Sequence, residues 1–254
     1  MYNGKKTGKQ QIRAIIFDMG GVLIDLNLDT VTRSFSETLG YAHTEGMLDP
    51  SHGKGLYMQI EEGKLTAEEF RQAVKADSRP GVTDEMVDQA MWSFLEGIMP
   101  GKPELLESLA TRYDLYLLSN NNPISWVRCC EIFEEAGIPV PHLFKKSFLS
   151  YQMKKLKPCR EIFEEVIAAI PQYEPAEMLV IDDSEANTRM AAESGMKVLH
   201  YPQGSDLAAA IAAVTPIEEE EDGQKRNLST LFAATQTRAS DHDRTARDHH
   251  LGIC

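Results

Sequence analysis

Apolar residues gather into short unbroken runs at Ile15-Ile16-Phe17, Asp114 to Leu118 and Met178 to Ile181. Each run is closed by polar or glycine residues, the pattern of a strand buried on both faces. Lys197 to His200 reads as a further strand. Between the runs the period changes to that of a helix. Val31, Phe35 and Leu39 fall on one face, with Asp29 as cap and Gly40 as stop. Thr66-Ala67-Glu68-Glu69 has the capping-box pattern and opens a helix through Phe70 and Val74. Val87, Met91, Phe94, Leu95 and Ile98 place a third helix over 84–98. No strand is expected between about Leu26 and Pro100.

Beyond Pro103, which begins a helix, strands and helices alternate. The segment 124–136 is helical up to Gly137, and Phe144 and Phe148 flank a short element without clear pattern. Pro158 suits the first position of a helix over 159–170, whose apolar face is Ile162, Phe163, Val166, Ile167 and Ile170. A last helix, 185–193, closes at Gly195. Such alternation calls for an α/β fold, a parallel sheet with helices on both faces. The helical stretch 26–100 reads as an insertion in it.

Polar residues at the strand ends carry the chemistry. Asp18 follows Phe17, and Gly20-Gly21 let the chain turn away at once. A carboxylate at the carboxyl end of a strand, where open α/β sheets bind ligands, can serve as nucleophile, metal ligand or both. Ser119-Asn120 ends the second run, Lys157 precedes Pro158, and Asp182-Asp183-Ser184 ends the third, with Asn187 shortly after. Capping of the following helix accounts for one acid after a strand, not for two in a row.

These four stretches, in this order, resemble the motifs of the haloacid dehalogenase superfamily of hydrolases. The resemblance spans roughly residues 12 to 214 and is nearest to the branch whose first motif reads F-D-x-G-x-V, which includes sugar-phosphate phosphatases. It implies a Rossmann-like core at 12–25 and 101–215, with 26–100 as a small helical cap. It implies Mg²⁺ held by Asp18, the Gly20 carbonyl and Asp183, with Asp182 in support. Asp18 would attack phosphorus and form an aspartyl-phosphate. Ser119, Asn120 and Lys157 would bind the phosphate, and Asn187 would orient Lys157 or the acidic pair.

One position departs from the pattern. Most phosphatases of the superfamily have a second Asp two residues after the nucleophile, and here that residue is Gly20. Its carbonyl still suits a metal, but proton transfer to the leaving oxygen loses its donor, a loss of typically about 10²–10⁴-fold. A sugar 1-phosphate or an acyl phosphate would need less help. Asp25 is the next carboxylate along the chain. Two alternatives remain open: a binding or regulatory protein that kept the metal site, and a metal-independent dehalogenase. Val22 and the acid pair 182–183 stand where dehalogenases usually carry Thr and a serine-containing motif.

Composition narrows the partners. The 254 residues carry a formal net charge of −13, which disfavours nucleic acid. No apolar run reaches the roughly 18 residues of a membrane helix, and residues 1–13 are polar and basic, so a cytoplasmic enzyme of a small phosphorylated metabolite is expected. Four cysteines, two of them adjacent at Cys129-Cys130, form no disulfide framework. The acidic run 218–222 opens a polar tail, 216–254, that reads as disordered. Its histidines 242, 249 and 250 read as solvated. Nothing in the sequence specifies an oligomeric state.

Overall fold

A computed structural model describes residues 11–44 and 55–215; the tail from 216 on lies outside them. The described elements begin with strand β1, Ala14–Phe17, and strand β2, Ile24–Leu26. Helix α1, Leu28–Arg33, runs into a π-helical stretch, Ser34–Leu39, and is followed by α2, Leu56–Glu61, α3, Ala67–Ala76, and α4, Asp84–Trp92. Strand β3, Leu95–Ile98, and helix α5, Lys102–Ala110, lead to β4, Asp114–Ser119. Next come α6, Pro123–Glu135, α7, Val140–Leu143, β5, Lys146–Leu149, α8, Ser150–Met153, and α9, Arg160–Ala169. Strand β6, Met178–Asp182, helix α10, Glu185–Glu193, strand β7, Lys197–His200, and helix α11, Leu207–Val214, complete the order. The chain divides into two compact units at Gln203, and α11 belongs to the second.

The main sheet has the order β5-β4-β1-β6-β7, and every pair in it is parallel. From central β1 the chain passes to β4 on one side and later to β6 on the other. The carboxyl end of β1 is therefore the switch point at which such sheets bind ligands. Side chains alternate across the sheet. Ala14, Ile16, Tyr116, Leu118, Met178 and Val180 pack with Ile162, Phe163 and Val166 of α9 and Ala191 of α10. Ile15, Phe17, Leu115, Leu117, Leu179 and Ile181 are buried on the opposite face, where α5 meets β4. Polar strand ends are thus held by an apolar frame on both sides.

The segment between β2 and β3 builds its own apolar cluster. Val31, Phe35, Leu39, Ile60, Phe70, Val74, Val87 and Met91 pack together, with Ile124 of α6 among them. The Trp92 Nε1–H donates to the Ile124 carbonyl at 2.9 Å, tying α4 to α6. Thr66 and Glu69 make the reciprocal bonds of a capping box at the start of α3.

Four local expectations need correction. The third helix stops at Trp92, not Ile98. Gly97, at φ +136°, cannot continue a helix, and Leu95–Ile98 instead pairs antiparallel with β2. Leu95 and Ile98 meet helical spacing, but both lie half-buried in extended backbone. A strand therefore lies within 26–100. Asn27, not Asp29, occupies the N-cap of α1, and Asp29 sits in the first turn. Pro158 lies before α9, in a cis Lys157-Pro158 peptide, and Cys159 is the N-cap. The unclear element near Phe148 is edge strand β5, whose short length hid its period.

Candidate active site

Asp18 leaves β1 with its carboxylate turned back on its own chain, and the Met19 N–H donates to Oδ1 at 2.7 Å. Lys157 Nζ stands 3.0 Å from that same oxygen, 2.6 Å from Asp182 Oδ2, and donates to the Leu118 carbonyl at 2.9 Å. Three acceptors from three neighbouring strands therefore use the three protons of one ammonium. Burial opposes the charge on Lys157, but Asp18 and Asp182 outweigh it and raise the group above its ordinary range. Isolated, such a buried cation would cost several kcal/mol. Here the carboxylates offset that cost.

Asp182 is fixed on all sides. Its Oδ1 accepts from the Ser184 N–H and from Asn187 Nδ2, both at 2.9 Å, while Oδ2 meets Lys157. Asn187 thus orients Asp182, the first acid of the pair, and makes no direct bond to Lys157. Asp183, the next residue, is exposed toward the turn after β1, and His200 Nε2 lies 2.9 Å from its main-chain carbonyl. Gly21 makes room for Asp183: a Cβ there would lie 2.2 Å from Asp183 Oδ2, and its φ of +72° is in the region glycine favours. The sequence assigned Gly21 only a turn; the close approach of Asp183 is a second demand.

Carboxylate oxygens of Asp18, Asp182 and Asp183 lie within 4.8 Å of one another. Burial raises the Asp18 carboxyl, Lys157 offsets part of the rise, and Asp182 adds to it. Asp183 is raised as well, by burial and by Asp182. An all-oxygen donor set short of positive charge fits a hard divalent cation such as Mg²⁺. Among the described residues this is the one cluster of three such groups.

Ser119 is buried at the end of β4, with its hydroxyl 3.3 Å from the Asn120 carbonyl. Asn120, expected to offer its amide to phosphate, is bound through both amide atoms to the Lys157 main chain. Its Nδ2 donates to the Lys157 carbonyl at 3.1 Å, and its Oδ1 accepts from the Lys157 N–H at 2.9 Å. That clamp holds the residue whose side chain reaches Asp18. Lys154 and Lys155 do not compete with Lys157, since Lys154 donates to the Gly63 carbonyl and Lys155 pairs with Glu165.

Sequence reasoning missed Glu61. It ends α2, a six-residue helix too short to show a period, and no motif marks it. Its carboxyl is partly buried, hydrogen-bonded to Tyr57 one turn back, and feels the charges of Asp18 and Lys157. Desolvation pushes it up to about 7. Asp25, by contrast, lies in β2 opposite Gly97, and its charge acts on Lys102. The i, i+4 pair Tyr57 and Glu61 was the available signal, visible once a helix is placed there.

Comparison with known proteins gives the family and the fold. The model of the haloacid dehalogenase-like hydrolase family matches residues 12–195. A D-ribitol-5-phosphate phosphatase of Bacteroides thetaiotaomicron is 34% identical over 205 residues, covering 80% of this chain and 98% of that protein. A HAD family enzyme of the same organism, solved in complex with magnesium and inorganic phosphate, is 35% identical with a TM-score of 0.72. That match covers 78% of this chain and 98% of the other. A predicted HAD-like hydrolase from Porphyromonas gingivalis superposes with a TM-score of 0.74 at 36% identity, over 82% of this chain and all of its own. L-2-haloacid dehalogenase from Xanthobacter autotrophicus, at 17% identity and TM-score 0.53, shares the fold.

Proposed function

The chain belongs to the haloacid dehalogenase-like hydrolases, and we propose that it is a Mg²⁺-dependent phosphatase of a small phosphorylated polyol or sugar. The observation that carries this reading is the junction of Asp18, Lys157 and the acid pair at the switch point of the sheet. Asp18, the Gly20 carbonyl and Asp183 would hold the ion, with Asp182 behind them. When bound, Mg²⁺ offsets the repulsion between the Asp18 carboxylate and a phosphate dianion. Asp18 attacks phosphorus in line and takes the phosphoryl group as an acyl phosphate, which water then hydrolyses. Lys157, already neutralising Asp18, carries its point charge to the phosphate oxygens. Asn120 and Asp182 keep Lys157 in place, and the Ser119 hydroxyl can turn to the phosphate.

Residues 26–100 act as a cap over this site and select the organic part of the substrate. Support comes from their separate apolar cluster and from Glu61, which they carry to the charged groups of the sheet. The ribitol-5-phosphate phosphatase relative points to a terminal phosphate on a short polyhydroxylated chain, rather than to a sugar 1-phosphate or an acyl phosphate. Among the described residues, no helix is long and apolar enough to cross a membrane. The free thiols of Cys129, Cys130 and Cys159 suit a reducing compartment such as the cytoplasm. The test is release of phosphate from D-ribitol 5-phosphate and from an aryl phosphate. Release should need Mg²⁺, stop with chelator and return on adding the ion. No release from any ester would leave the binding-protein alternative standing.

A further inference from the structure

A terminal phosphate on a polyol has a primary alkoxide as leaving group, which departs slowly without a proton. Gly20 supplies none. Asp25 faces the ribbon, and both oxygens of Asp182 are already occupied. Beside the carboxyl ends of β4 and β5 stands the end of α2, and contacts from the core hold its last residue there. The Ser150 hydroxyl donates to the Glu61 carbonyl at 2.7 Å and accepts from the Asn121 N–H at 2.9 Å, two residues beyond Ser119. Two residues on, Gly63 packs so closely on α8 that a Cβ would lie 2.1 Å from the Tyr151 carbonyl, and Lys154 Nζ donates to the Gly63 carbonyl at 2.6 Å. These contacts fix the end of α2 beside the strand that ends in Ser119.

We propose that Glu61 is the proton donor to the leaving oxygen and then the base for the hydrolytic water, replacing the carboxylate absent at Gly20. The inference rests on the phosphatase reading above. In the first step Asp18 forms its bond to phosphorus, the bond from phosphorus to the leaving oxygen breaks, and the Glu61 proton passes to that oxygen. The products are the free alcohol, the aspartyl-phosphate and the Glu61 carboxylate. In the second step Glu61 takes a proton from water as the water oxygen attacks phosphorus. The acyl phosphate bond breaks, returning Asp18 as carboxylate and Glu61 as acid. Charge and protons balance over the cycle.

The charged and titratable groups around Glu61 suit this role. Tyr57 on its own helix donates a hydrogen bond to it, while Asp18 from β1 and Lys157 from the loop before α9 act on it with opposite signs. A carboxyl pushed up to about 7 is still protonated in part at neutral pH, whereas an ordinary one would be empty.

The experiment compares wild type with Glu61→Gln on phosphate esters of graded leaving-group pKa, from aryl phosphates to D-ribitol 5-phosphate. The loss of kcat should reach about 10²–10⁴-fold on the alkyl ester and be at least about tenfold smaller on the best aryl leaving group, steepening the dependence on leaving-group pKa. Wild type should also lose kcat/KM on the alkyl ester as pH rises through the Glu61 range, with a weaker loss on the aryl ester. That profile needs no variant, so a misfolded Glu61→Gln would not shield the proposal. An equal loss on all esters, or a raised KM with unchanged kcat, would make Glu61 a structural or substrate-hydroxyl contact and overturn it. If wild type cleaves no ester at all, the phosphatase reading itself has failed; if it cleaves esters but Glu61→Gln is neutral, only this inference has.

Discussion

At the strand ends of the sheet, Asp182 closes a buried strand and Asp18 and Asp183 follow directly on one, so each is placed by its strand. Glu61 stands on a six-residue helix, and its place depends on Ser150 and Lys154, about 90 residues further along the chain. The first group is locked by reciprocal charge. Lys157 satisfies two carboxylates, and Asn187 and the Ser184 N–H complete Asp182. The second is held by contacts to its main chain and by the packing of Ile60, leaving its carboxyl to a single phenol and to whatever occupies the site. A phosphoryl acceptor and a metal site need rigidity, which buried ion pairs at strand ends supply. A proton donor needs only reach and the right acidity, which partial burial on a neighbouring helix supplies.

The contrast predicts a graded series of effects. Asp18→Asn removes the proposed nucleophile and should lower turnover on every ester, aryl or alkyl, by about 10⁴-fold or more. Steady-state phosphate release checks this, and retained activity would refute the covalent step. Lys157→Met tests the rigidity of the strand-end group. It leaves Asp18 and Asp182 buried without their cation, which should cost about 3–5 kcal/mol in urea unfolding at neutral pH.

A third test moves the acid from the helix back to the strand end. Gly20→Asp in the Glu61→Gln background should recover about tenfold or more of a loss of roughly 10²–10⁴-fold on an alkyl phosphate. Gly20 is not held at positive φ, and an added Cβ meets only the tip of Leu26, at 2.8 Å. No recovery would mean that the two positions do not serve the same proton. The smallest effect belongs to the frame of the helical segment. Thr66→Ala breaks the capping box of α3 and should cost about 1 kcal/mol in thermal or urea unfolding, with kcat unchanged.

Much of the core was legible in the chain because its signals are local. Unbroken apolar runs are what a strand covered on both faces requires, and β1, β4 and β6 appeared where such runs stood. A carboxylate placed straight after the run is carried to the sheet edge by the strand itself. Asp18 and the pair 182–183 could therefore be nominated from position alone. The β2–β3 ribbon was illegible for the opposite reason. Leu95 and Ile98 satisfy helical spacing equally well, and only Gly97 and the pairing with Ile24 and Leu26 decide for extended backbone.

The sequence by itself determined the alternating elements and the order of the charged motifs, since each follows from residue type and spacing over a few turns; the missing carboxylate at Gly20 was read from the family resemblance. Tertiary structure alone decided that Asn120 clamps the Lys157 main chain, that Gly21 must make way for Asp183, and that Glu61 comes within electrostatic reach of Asp18. Each of these joins groups 37, 162 and 43 residues apart along the chain. At such separations no period or propensity links two residues; packing of the sheet and its helical insertion brings them together.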